Sequence, residues 1–252
     1  MHLRLKIFWI ILALINVTGY AIHKLNTSVA FNTEVIEQGK LVSKRSLVTQ
    51  LSGVVKNDTF GLYTDWCIVS PLQYKELFPN RWAISGGILK KVTDHFTFDF
   101  GAKYTFLQRL GFENLHQWMT YYLGVRSDLL MQPKFYLSWD PERHQWCLES
   151  SFKYDFDFSI FDCIGYKLSW ETTFGFLRGR KPYGRHGVMK KYKCYYIETE
   201  LLLRKYFGET VNFYIGPKFA CNTGGTQSWS YINTATHRSQ FCGLCFGLEL
   251  SF

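Results

Sequence analysis

Beyond Val17 the chain has no apolar run approaching the roughly twenty residues that a membrane-spanning helix needs, so helical membrane spans are not expected. Catalytic signatures are missing too: there is no HExxH, no P-loop and no GxSxG. The histidines at 2, 23, 95, 116, 144, 186 and 237 fall in the N-terminal segment or in expected loops and turns. None faces a strand serine at hydrogen-bonding spacing, as a Ser–His pair on a barrel would require. Asp155 and Asp157, a carboxylate pair on one strand face, fit a polar lining better than a catalytic dyad. No catalytic residue, cofactor or metal site is expected, and the chain is not read as an enzyme. The cysteines, 7 in all, form an odd set scattered through expected strands rather than framing loops, which argues against a disulfide scaffold. Cys242 and Cys245 have two residues between them, and a regular strand would turn them to opposite faces. Repeats, low-complexity runs and linkers are absent, leaving one domain. No nucleic-acid motif accompanies the basic charge, so no nucleic-acid partner is expected.

What is present begins with a leader. Met1-His2-Leu3-Arg4-Leu5-Lys6 is basic, Ile7 to Val17 is almost wholly apolar, and Gly19-Tyr20-Ala21 offers small residues for cleavage. This is the layout of a secretory signal peptide over residues 1–21, with a mature domain over 22–252. The formal net charge of +9 stays positive without Arg4 and Lys6. Aromatic residues make up 18% of the chain, high for a soluble domain and usual for a barrel with a lipid-facing belt. A mean hydropathy of -0.11 is no objection, because alternation dilutes the average.

Alternation runs through the whole mature chain. Phe96, Phe98, Phe100, Ala102, Tyr104 and Phe106 interleave with Thr97, Asp99, Gly101, Lys103 and Thr105. Period-two patterns also place strands at about 27–36, 46–55, 60–68, 82–88, 118–125, 129–139, 146–156, 164–174, 195–204 and 211–219. The last stretch, Gln240 to Phe252, sets Cys242, Leu244, Phe246, Leu248, Leu250 and Phe252 against Gly243, Cys245, Gly247, Glu249 and Ser251. Connections after even-numbered strands read as short turns, and most of those after odd-numbered strands as longer loops. Turn signals such as Lys56-Asn57-Asp58-Thr59 and Val92-Thr93-Asp94-His95 support the first class.

A chain of alternating strands ending on an aromatic resembles the outer-membrane β-barrel proteins of Gram-negative bacteria, in particular small porin-like members. Their C-terminal strand carries an assembly signal, here Phe246, Leu248, Leu250 and Phe252. The resemblance implies an all-β fold: a single antiparallel transmembrane β-barrel of about twelve strands, between ten and fourteen. It implies the bacterial outer membrane as location, with barrel-assembly machinery and outer-membrane lipids, anionic glycolipid included, as partners. Such a barrel inverts the soluble rule, since its apolar face meets lipid and its polar face turns inward. The expected lumen-lining residues are then Asp65, Asp99, Lys103, Lys134, Glu149, Lys153, Asp155, Lys167, Glu171, Glu198, Glu200, Arg204, Lys218 and Glu249. Trp82, Trp118, Trp139 and Trp146 lie near strand ends and read as interfacial girdle residues.

Twelve strands fall between filled eight-stranded barrels and open sixteen-stranded porins, so at most a small pore is expected. Charges of both signs in that lumen either line a water-filled path or cross-link into a plug. A further expectation is a basic surface loop with Arg178, Arg180, Lys181, Arg185, Lys190, Lys191 and Lys193, and no acid between Glu171 and Glu198. On the outer rim it would meet phosphates and carboxylates of glycolipid, or draw anionic solutes. The functional expectation is a porin-like passive channel for small solutes or ions. The alternatives are a non-conducting structural or adhesive surface barrel, and an outer-membrane lipid-modifying enzyme.

Overall fold

The structure is a computed structural model that describes residues 24–38, 40–72, 80–108, 116–157, 165–183, 188–223 and 240–252. The expected leader, 1–21, lies outside the described residues. Twelve strands follow one another: β1 (Lys24–Glu37), β2 (Lys40–Lys56), β3 (Phe60–Pro71), β4 (Asn80–Lys91), β5 (Phe96–Gln108), β6 (His116–Ser127), β7 (Lys134–Asp140), β8 (Gln145–Asp157), β9 (Tyr166–Tyr183), β10 (Val188–Phe207), β11 (Val211–Asn222) and β12 (Gln240–Ser251). Each is antiparallel to its sequence neighbours, and β1 pairs with β12, so the sheet closes on itself. Closure matches Asn26 to Asn32 with Ser251 back to Cys245. One further rung joins the ends, where Leu25 and Phe252 exchange backbone N–H···O bonds of 2.9 and 2.8 Å. A closed sheet leaves no unpaired edge to template aggregation.

Exposure follows the alternation, with the apolar side outward. Phe100, Leu123, Phe135, Phe246 and Ile215 are each more than half exposed, whereas Asp99 on the opposite face is fully buried. Leaving such a side chain in water forfeits roughly 1.5–3 kcal/mol, and the belt runs round the whole barrel. Lipid is therefore the solvent of this face. Aromatic ladders knit it across strands: Trp82 stacks on Phe106 at 5.7 Å between centroids, and Trp139 on Trp146 at 5.5 Å.

Short-range side-chain bonds close the turns at the rim that carries the chain termini. Asn57 Oδ1 accepts from Thr59 N (3.0 Å) and Phe60 N (2.7 Å), and Thr93 Oγ1 accepts from Phe96 N (3.1 Å). Lys91 Nζ stands 3.0 Å from Asp94 and holds that turn carboxyl below its ordinary value. His95 Nδ1 lies 3.1 Å from Asp128 Oδ1, bridging the β4–β5 and β6–β7 connections.

Several sequence expectations are corrected. β2 begins at Lys40, not Ser46, because a bulge at Val35/Ile36 and a left-handed Arg45 (φ 44°) let 40–45 keep pairing with β1. β7 begins at Lys134 rather than Leu129, since Met131 (φ 66°) and Gln132 (φ 38°) break the extended path. The alternation of connection length also holds only in part. Residues 158–165 make a long connection after even-numbered β8, while 38–39 and 141–144 are short connections after odd-numbered strands. His116, expected in a loop, opens β6.

Candidate functional site

The barrel interior collects the polar halves of the strands. Its walls are shaped by tyrosines lying over glycines on the neighbouring strand. Tyr63 faces Gly87, Tyr122 faces Gly101, Tyr136 faces Gly124, Tyr196 faces Gly175 and Tyr214 faces Gly247, each as a direct cross-strand partner. A Cβ at Gly175 would run into the ring of Tyr196, and one at Gly87 would sit 2.7 Å from the Tyr63 hydroxyl. Glycine leaves room for each ring to pack directly over the neighbouring strand, so the tyrosines form part of the interior wall. Gly175→Ala should therefore push Tyr196 off the wall and destabilise the barrel by about 1–3 kcal/mol, an overpacking cost. Urea titration of the barrel in detergent micelles, Gly175→Ala beside wild type, would read it.

The first polar cluster centres on Asp99 of β5. Its side chain has no exposed surface and accepts from Tyr63 Oη at 2.7 Å and Tyr136 Oη at 2.6 Å, while Arg126 of β6 forms an ion pair with it. Tyr63 and Tyr122 share a further bond of 2.6 Å. The Arg126 guanidinium carbon lies 5.4 Å from the Tyr63 ring centroid. One carboxylate thus ties β3, β5, β6 and β7 into a rigid wall.

A second cluster spans the barrel. Glu37, at the end of β1, forms an ion pair with Arg81 of β4 and accepts from Lys103 Nζ of β5 at 2.8 Å. The intervening strands β2 and β3 pass behind this contact, so it is a chord and not a ladder rung. It stands between two interior cavities, of about 340 Å³ and about 700 Å³. Glu37, Asp65, Arg81 and Lys103 line both. The smaller cavity also reaches Trp118, with the Arg143 guanidinium stacked over its ring at 3.5 Å. Trp118 is thus a lining residue, correcting its assignment to an outer girdle. The neighbouring Gln117 and Met119 take the outward positions of β6.

The opposite wall, β8 to β12, carries the remaining pairs. Lys218 Nζ lies 3.5 Å from Glu198 and 3.8 Å from Glu200. Glu249 accepts from Arg204 at 3.0 Å and from Asn212 at 2.8 Å. Glu149 accepts from Tyr196 Oη, which also lies 3.4 Å from Cys147 Sγ. Toward the rim of the termini, Lys134 pairs with Glu171 (3.7 Å), Lys153 with Asp155 (3.6 Å) and Lys167 with Asp157 (3.7 Å). Asp155 and Asp157 thus each serve a different lysine. The fourteen charges named from sequence therefore sit on the inward face. Sequence reasoning missed Glu37, Arg81, Arg126 and Arg143, which lie at strand ends or in a turn.

The basic segment is not a loop. Arg178, Arg180 and Lys181 belong to β9, and Lys190, Lys191 and Lys193 to β10, paired directly as Lys181–Lys190, Arg180–Lys191 and Arg178–Lys193. Arg185 lies outside the described residues. Backbone pairing extends this hairpin although its composition is that of a loop. Arg178 and Lys193 are exposed on the outward face.

No protein-family profile matches the chain, and no curated protein matches it. Among solved structures it is similar to the NanC porin, at 11% identity and a TM-score of 0.52, over 90% of this chain and 98% of that one. The fold is that of an outer-membrane β-barrel. Other similar structures are the KdgM porin, at 12% identity and a TM-score of 0.47 over 91% and 99% of the two chains, and an outer membrane channel from Pseudomonas putida F1, at 10% and 0.48 over 93% and 98%.

Proposed function

We propose that this barrel is a passive channel of the bacterial outer membrane, passing small solutes or ions through a charged interior. The observation that carries the reading is the pair of adjoining polar-lined cavities inside the closed sheet, meeting at Glu37, Asp65, Arg81 and Lys103. Residues 1–21 serve as the cleaved leader, and Phe246, Leu248, Leu250 and Phe252 present the terminal signal to the barrel-assembly machinery. Arg178 and Lys193, exposed and outward at the rim away from the termini, suit the phosphates of an anionic glycolipid.

The test is single-channel recording of the folded protein in planar bilayers. Discrete conductance steps are expected, and their absence from correctly folded protein overturns the reading. The Glu37 chord narrows the path, so Glu37→Ala should raise the step size. It should also cost roughly 1–3 kcal/mol of stability, because two cations lose their shared acceptor. The same chord favours a second reading, a non-conducting surface barrel, which predicts silence in both wild type and variant.

A further inference from the structure

The chain as a whole is basic, at +9, yet the surface that a solute would meet is not. Every lysine and arginine lining the two cavities is committed to a carboxylate: Arg81 and Lys103 to Glu37, Arg126 to Asp99, Arg143 to Asp140, Arg204 to Glu249, and Lys218 to two glutamates. The reverse does not hold. Asp65, which lines both cavities, has the Ser85 hydroxyl at 3.5 Å as its hydrogen-bond partner, and Glu149 is held by the Tyr196 hydroxyl. Among the described residues, carboxylates outnumber cations along the lining of both cavities. The positive excess sits elsewhere, in residues such as Arg178 and Lys193 on the outer surface.

From this inversion we infer that the interior prefers cations, and that Asp65 and Glu149 are its specificity-determining residues. The inference rests on the channel reading proposed above. In a narrow cavity with low-dielectric walls, field lines are focused along the path, so a small excess of one sign outweighs a larger opposite charge on the rims. Rim charges are further weakened by salt over a Debye length of about 8 Å at physiological ionic strength. A paired cation presents little net field to a passing anion. A carboxylate held by a hydroxyl has no ion-pair partner to offset it, so any charge that it carries faces the lumen unpaired. Cationic solutes and metal cations are thus the class that this lining admits, and anionic sugars and phosphates the class that it turns back.

Reversal potentials in planar bilayers under a potassium chloride gradient test the inference on the full folded protein. The expected result is a potassium-to-chloride permeability ratio above one. In Asp65→Asn/Glu149→Gln it should fall toward one, since both changes remove charge while leaving every ion pair intact. Arg178→Gln/Lys193→Gln, on the outer surface, should leave the ratio where it was. Steps with chloride preference in wild type overturn the inference and leave the channel standing. A ratio that moves with the outer pair and not with the lining pair overturns it as well. A protein that folds but shows no steps overturns the channel itself, and the preference with it.

Discussion

Arg126→Met should cost the barrel about 3–5 kcal/mol, the penalty for leaving a buried charge without its partner. Asp99 has no exposed surface, and Arg126 is the cation that pairs with it. The hydroxyls of Tyr63 and Tyr136 would still reach the carboxylate, at 2.7 and 2.6 Å, but neither brings charge. Because Arg126 is 40% exposed, part of its field is already screened, which puts the expected loss toward the lower end of that range. The double variant Asp99→Asn/Arg126→Met should recover much of the loss, since an amide in this niche can hydrogen-bond to the same tyrosines without carrying charge. Urea-dependent unfolding in detergent micelles would measure all three proteins. A single-variant loss below about 1 kcal/mol would show that water reaches Asp99 and that the tyrosine cage is not dry.

That cage also shows where sequence reading stops. The strand carrying Asp99 is the most legible in the chain, because six outward residues from Phe96 to Phe106 alternate without a break. The face of Asp99 follows from period two alone. Its partners do not, because a contact between strands depends on register and on the stagger with which the sheet closes. Arg126 is one residue from the end of β6 and reads as part of a turn. The Glu37 chord to Arg81 and Lys103 is further out of reach, since it skips two strands.

Other differences come from composition standing in for backbone geometry. Leu129 and Leu130 look like the start of β7 because they are apolar, but they occupy a turn and Leu130 is 79% exposed. The segment from Arg178 to Lys193 looks like a loop because it is basic and contains glycine and proline. A hairpin is held by N–H and C=O groups that every residue type except proline supplies in full, so cross-strand pairing continues through it. One sequence signal does reach across strands. Each interior tyrosine named above stands opposite a glycine on the next strand, a pairing that follows from the alternation once a hairpin's register is assumed. Those pairs mark the inward face independently of charge.

The assignment of faces has a sharper test in two adjacent residues of β2. Leu51→Arg should destabilise the barrel by about 2–4 kcal/mol, and Gln50→Arg by well under about 1 kcal/mol. Leu51 is 43% exposed and pairs across to Thr27 and Trp66, on the belt of apolar side chains. A guanidinium there must lie in hydrocarbon or drag water and headgroups toward it. Gln50 points the other way, lines the larger cavity and accepts from Ser28 Oγ at 3.4 Å. A cation there enters a lining already rich in carboxylates, with Asp65 and Glu249 on the same cavity. The two positions share a strand and almost the same depth, so differences in assembly or in distance to a rim cancel. Folding titrations into lipid vesicles would compare them directly. Equal costs would mean that the interior is dry and packed, and a larger cost at Gln50 would mean that the barrel's apolar face is its inside.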